Sequence, residues 1–186
     1  MALHSTAYRW GAVARLFHWL TALGVLALIA VGLWMTDLPN GMRKINIYAL
    51  HKSVGITILG LTVLRLLWRL TDDRPLSPPG QPAWQQRAAQ AAHVLLYGLL
   101  IAMPLSGWLY NSASGFPLRW FKLANLPHLV EADPALKELA HGAHEFGAWL
   151  LIALVVLHAA AALKHHFVDR DDTLNAMLGR RAKDSK

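Results

Sequence analysis

An all-α integral membrane protein, a bundle of four membrane-spanning helices, is the fold this sequence predicts, and three observations carry the prediction. The chain of 186 residues is 55% hydrophobic and 16% charged, with a mean hydropathy of +0.32. That balance is too apolar for a soluble domain of this size. Four apolar runs each approach or exceed the ~20 residues that cross a hydrocarbon core as a helix. Each of the four runs carries a histidine at or near one of its ends. The absence of cysteine excludes disulfides, thiolate metal sites and iron–sulfur clusters. The formal charge of +7 comes from basic residues spread over the ends of apolar runs, with no nucleic-acid motif among them, so no nucleic-acid partner is expected.

The first span is expected over 15–36, after a basic lead containing Arg9 and Arg15. Taken alone, a basic lead and an apolar run also fit a signal peptide. His18 at its entrance and three further spans argue that it is retained. A turn at Pro39, Asn40 and Gly41 leads to a second span over 48–70. His51 opens that span, at the membrane face opposite His18. Gly55, one turn further along, leaves room for a flat ring. Lys52, next to His51, can pair with an anionic group or snorkel to the surface. A proline-rich linker follows, then a third span over 89–110 with His93 in its first turn and Pro104 inside it.

Residues 111–133 form the longest external connection, and Phe116, Trp120, Phe121 and Leu123 suggest that part of it lies on the membrane surface. Asp133 followed by Pro134 reads as a helix start. The fourth helix is therefore expected from near 134, spanning the bilayer over 144–167. The remainder, to Lys186, is polar. Charge fixes the expected orientation. The side with both termini and the second connection carries twelve of the eighteen Lys and Arg, the other side six. Both termini are thus expected in the cytoplasm.

His144 and His158 stand fourteen residues apart on the fourth helix, on nearly the same face and separated by roughly 21 Å of rise. Ionisable side chains in an apolar span usually have a partner. Sorting the histidines by depth gives two pairs from different helices: His51 with His144 near the outer surface, His18 with His158 near the inner one. A 21 Å separation excludes one shared metal site and fits two haem irons, each held by two imidazoles. Interfacial histidines flanking ordinary spans remain the bland alternative.

RLFHWL around His18, YALHKSVG around His51, HEFGAWLLIALVVLHAAAALKHHF from His144 and the closing DDTLNAMLGR together resemble the bacterial cytochrome b561 family, over nearly the whole chain. The resemblance implies two haems b and exchange of electrons with quinone in the bacterial inner membrane. His18 and His158 match the ligands of the inner haem, His51 and His144 those of the outer one. One branch of the family, similar to superoxide oxidase, implies a superoxide:ubiquinone oxidoreductase acting from the periplasmic face. An anion approaching that face needs positive charge, for which Lys52, Arg119, Lys122 and Arg43 are the expected collar. His93, Lys164 and His165 are possible quinone or proton contacts, with His93 also a cofactor-binding candidate, and each is equally an ordinary helix-end residue. The competing functions are an electron-transfer cytochrome linking the quinone pool to a periplasmic redox protein, and a haem-free transporter or structural bundle.

Overall fold

The computed structural model describes residues 2–76 and 80–180. Part of the proline-rich linker (77–79) and the extreme C-terminal residues (181–186) lie outside the described residues. Four long helices dominate: α1 (Ala12–Thr36), α2 (Met42–Thr71), α3 (Ala83–Ala113) and α4 (Pro134–Lys164). Each is long and apolar enough to cross a membrane. Between α3 and α4 a small antiparallel ribbon pairs β1 (Leu118–Trp120) with β2 (Ala124–Leu126). The bundle itself is all-α, and the ribbon is an element its sequence did not announce. After α4 the backbone widens into a π-helical turn over His165–Asp169, and a short α5 (Thr173–Leu178) closes the described chain.

The helices outrun their apolar windows. α2 begins inside the first expected turn region, and α3 begins at Ala83 inside the expected linker. AWQQRAAQ is polar but composed of good helix formers, so it extends α3 beyond the apolar run. Pro104 lies inside α3 without ending it. α4 starts where Asp133 caps it, its carboxylate accepting from the amides of Ala135 (2.8 Å) and Leu136 (3.1 Å). At the C-terminal end of α1, Lys44 Nζ donates to the carbonyl of Thr36 (3.1 Å), the last residue of the helix, and to that of Leu38 (2.9 Å) just beyond it.

The outer faces are apolar and exposed, with Leu16, Leu20, Leu23, Leu26 and Leu33 all on the surface of α1. In water such a surface would aggregate; in a bilayer it meets hydrocarbon. The interior is correspondingly thin. Val25, Ile58, Leu100 and Leu151 form one buried apolar cluster, one residue from each long helix. Each stands seven residues beyond a histidine (His18, His51, His93 and His144), and Leu151 stands seven before His158. Seven residues return a helix to within about 20° of the same face and advance it roughly 10 Å. The histidines and the apolar layer therefore face the same interior at different depths.

Backbone packing joins α1 to α2, α2 to α3 and α3 to α4, while α4 makes no comparable approach to α1 or α2. One end of the bundle gathers the N-terminal segment, the end of α2 and α5. Asp72 accepts from Ser5 N (2.8 Å) and Ser5 Oγ (2.6 Å), and Trp19 Nε1 donates to the Met177 carbonyl (3.2 Å). The side chain of Arg15 lies against Gly179, which has φ 76° and space for no side chain of its own.

Candidate functional site: two histidine pairs

His18 on α1 faces His158 on α4 with ring centres 6.2 Å apart. His51 on α2 faces His144 on α4 at 6.4 Å. Both pairs join helices whose backbones make no close approach to each other. The spacing has chemical meaning. Two imidazole nitrogens about 2 Å from one metal, on opposite sides of it, place their ring centres roughly 6 Å apart. With the rings tilted or edge-on rather than stacked, and no hydrogen bond between them, such a gap suits a metal held from both sides.

Other features of the His51–His144 pair fit an inserted flat group. His51 Nδ1 is buried with no hydrogen-bond partner. A Cβ added at Gly55, one turn from His51, would meet nothing within 4 Å. The rings themselves are seated by glycines on the neighbouring helices. A Cβ at Gly32 would lie 3.3 Å from His51 Cε1, and one at Gly107 would lie 3.2 Å from His144 Cε1. Ser106 Oγ donates to the Met103 carbonyl (2.9 Å), and His144 Nδ1 lies 3.0 Å from that oxygen of Ser106 and 3.1 Å from the same carbonyl. With the serine proton already committed, Nδ1 is the donor here, which leaves His144 Nε2 with a free lone pair.

The His18–His158 pair is crowded by cations. Arg65 Nη2 lies 3.2 Å from His18 Nδ1, and the Arg65 guanidinium sits 5.1 Å above the Tyr97 ring. Arg69, one turn on, lies 5.3 Å over the same ring and donates to Tyr97 Oη at 3.3 Å. His93 joins this group, its ring 5.6 Å from that of His158. His93 and His158 thus stand on two helices that pack closely, whereas His18 and His158 stand on two whose backbones keep apart.

The four expected collar residues are placed unequally. Lys52 is half-buried beside His51, its Nζ held by Asn111 Oδ1 at 2.9 Å. Arg119 and Lys122 are exposed on the ribbon, which folds back onto α2. Ser53 Oγ accepts from Phe121 N (3.0 Å), and Trp120 Nε1 donates to Thr57 Oγ1 (3.0 Å). The ribbon thus lies over the stretch of α2 that follows His51. Arg43 is stacked on Trp34 at 5.5 Å, near the start of α2 and about 12 Å of helix rise before His51.

Lys164 and His165 are engaged elsewhere. Lys164 Nζ contacts both oxygens of Asp169 (2.7 and 2.6 Å), while His165 Nδ1 lies 2.6 Å from Asp171 and 3.2 Å from Asp169. Burial raises the Asp171 pKa, but hydrogen bonds from Thr173 and His165 outweigh it and hold the carboxyl below its usual range. The donor atoms of His165, Asp169 and Asp171 all lie within 4.8 Å of one another. With Lys164 already compensating the charge, this is a closed ion-pair clamp at the end of α4.

Sequence reasoning passed over Arg65, Tyr97, Asn111, Ser53 and Ser106. Arg65 carried a signal, an arginine in the middle of TVLRLLWRL. The others are ordinary residues whose role is set by which helix lies opposite.

A bundle of apolar helices with opposed histidine rings at two depths defines a class, membrane proteins that transfer electrons. The model of prokaryotic cytochrome b561 matches residues 9–180. The chain is 38% identical to cytochrome b561 homolog 2 of Escherichia coli K12 over 186 residues, 99% of this chain and 98% of that one. Cytochrome b561 homolog 1 of the same organism is 32% identical over 88% of this chain and 93% of its own. A Yersinia pestis protein titled "Probable superoxide oxidase CybB" is 32% identical over 87% of this chain and 90% of its own. The chain belongs to the prokaryotic cytochrome b561 family, whose members bind haem b, and is a multi-pass bacterial membrane electron-transfer protein.

Proposed function

We infer that the protein is a dihaem b oxidoreductase that takes electrons from superoxide at the periplasmic face and delivers them to ubiquinone in the membrane. The observation that carries this reading is the pair of gaps, 6.2 and 6.4 Å between ring centres, fourteen residues apart along α4. His18 and His158 would hold one haem and His51 and His144 the other. Each supplies one-electron redox chemistry tuned by its histidine ligands and their surroundings. His93 borders the inner site on the closely packed α3–α4 side, and we read it as a proton contact rather than a ligand.

The Lys and Arg asymmetry supports placing the termini in the cytoplasm and the ribbon in the periplasm. There Lys52, Arg119 and Lys122 raise the local concentration of an anion beside His51, with Arg43 farther out. Two superoxide ions each lose one electron and leave as dioxygen; one ubiquinone gains both electrons with two protons. The relative titled as a probable superoxide oxidase supports this choice of donor.

A second reading draws on the exposed apolar side chains of Phe116, Phe121 and Leu123 around the ribbon. They suit contact with the membrane surface or with a periplasmic redox protein, in which case the chain links that protein to the quinone pool. Stopped-flow absorbance of the oxidised, detergent-purified holoprotein separates the two. Superoxide should reduce the haem within milliseconds, and only added ubiquinone analogue should reoxidise it. Haem that stays oxidised would refute superoxide as the donor and favour the protein partner.

A further inference from the structure

The two histidine pairs are alike in residue type and opposite in surroundings. At the outer pair, His144 Nδ1 faces two acceptors, Ser106 Oγ and the Met103 carbonyl. At the inner pair, His18 Nδ1 faces the guanidinium of Arg65, which has donors only and keeps its charge. Arg69 adds a second cation one turn away, on the same Tyr97 ring. Among the described residues, no carboxylate forms an ion pair with either arginine. Both arginines are half-buried rather than fully solvated, so their fields are weakly screened.

We propose that Arg65 makes the inner site a stronger electron acceptor than the outer one, and so sets the direction of transfer through the chain. The proposal rests on the two-haem reading above. A metal-bound imidazole carries its proton on the nitrogen away from the metal. At His144 that proton is given to the Met103 carbonyl and Ser106, which enriches the ring in electron density and favours the oxidised metal. Beside His18 Nδ1 stands a donor rather than an acceptor, and the fixed charge of Arg65 opposes positive charge at the metal and favours the reduced state. The two effects add. One electron leaves the outer site, which is oxidised, and reaches the inner site, which is reduced; no bond or proton changes hands. Arg65 acts through His18 and is a positioning and tuning residue, not a catalytic one.

The test is an equilibrium redox titration of the detergent-purified holoprotein, followed by its visible spectrum, with haem content measured in parallel. The unaltered protein should show two one-electron transitions whose electron affinities differ at least tenfold, about 59 mV. Arg65→Gln should lower the higher transition by about tenfold or more and leave the lower one in place. Arg65→Lys, which keeps the charge, should restore most of the difference. Coincident transitions in the unaltered protein overturn the proposal, even if Arg65→Gln fails to assemble. So does an Arg65→Gln effect confined to the lower transition, or one that raises the higher. Fewer than two haems per unaltered chain would instead overturn the two-haem reading beneath it.

Discussion

Removing the side chains that pin the ribbon to α2 should release it. Ser53 is 2% exposed. It donates to the Ala49 carbonyl (2.8 Å), approaches the Arg119 carbonyl (3.3 Å) and accepts from Phe121 N (3.0 Å). Ser53→Ala would leave the Phe121 amide without its acceptor, at a cost of about 1–3 kcal/mol. Thr57→Val removes the acceptor of Trp120 Nε1, worth about 0.5–1.5 kcal/mol. The residues are coupled, because Thr57 Oγ1 donates to the Ser53 carbonyl (3.0 Å), so simple addition is unsafe. A combined loss of about 2–4 kcal/mol raises the open population roughly 30- to 1,000-fold. Hydrogen–deuterium exchange of peptides covering 118–126 should accelerate by that order in the double variant, with α1 peptides unchanged. Unaltered exchange at Phe121 would refute the argument and assign the anchoring to burial of Leu118, which is 3% exposed.

His158→Ala should keep one haem per chain and His144→Ala the other, because sites about 21 Å apart on α4 act independently; retention of two in either variant, by haem content and low-temperature spectra, would sink the ligand assignment. Gly107→Val should displace the His144 ring, since even a Cβ would lie 3.2 Å from it, and should reduce haem occupancy at the proposed His51–His144 site while sparing the proposed His18–His158 site. The N-terminal tether should fail in acid. Burial raises the pKa of Asp72, but the hydrogen bonds from Ser5 prevail and leave it below the usual value. Its contribution is therefore complete above the unfolded pKa of about 4 and disappears as pH falls through the lower folded pKa. Exchange at Ser5 and Gly11, corrected for intrinsic rates, should be flat above about pH 4 and rise below it; a loss beginning near neutrality would point to His4 instead.

The bundle was legible because bilayer thickness imposes a length and a polarity that a sequence displays directly. The association of His51 with His144 and of His18 with His158 was also legible, since fourteen residues on one helix fix both face and depth. Helix ends were read less well. QQRAAQ and RKINIY are polar, yet they continue α3 and α2, because a helix keeps its hydrogen bonds after leaving the apolar layer. The ribbon was hidden because its anchors, Ser53 and Thr57, lie more than sixty residues away in sequence. Arg65 was visible as an anomaly, but its meaning depended on α1 and α3 bringing His18 and Tyr97 to it.

The separation of the histidine layers has an electrical consequence. If one electron passes between them, it moves through roughly 21 Å of a hydrocarbon core about 30 Å thick, with no accompanying ion. A full crossing is worth about 2.3 kcal/mol per 100 mV, so this partial one is worth roughly 1.5 kcal/mol. With the cell interior negative, inward transfer runs uphill against the membrane potential. The chain would then be a voltage-sensitive conductor, slowed as the membrane becomes energised and eased as it is discharged.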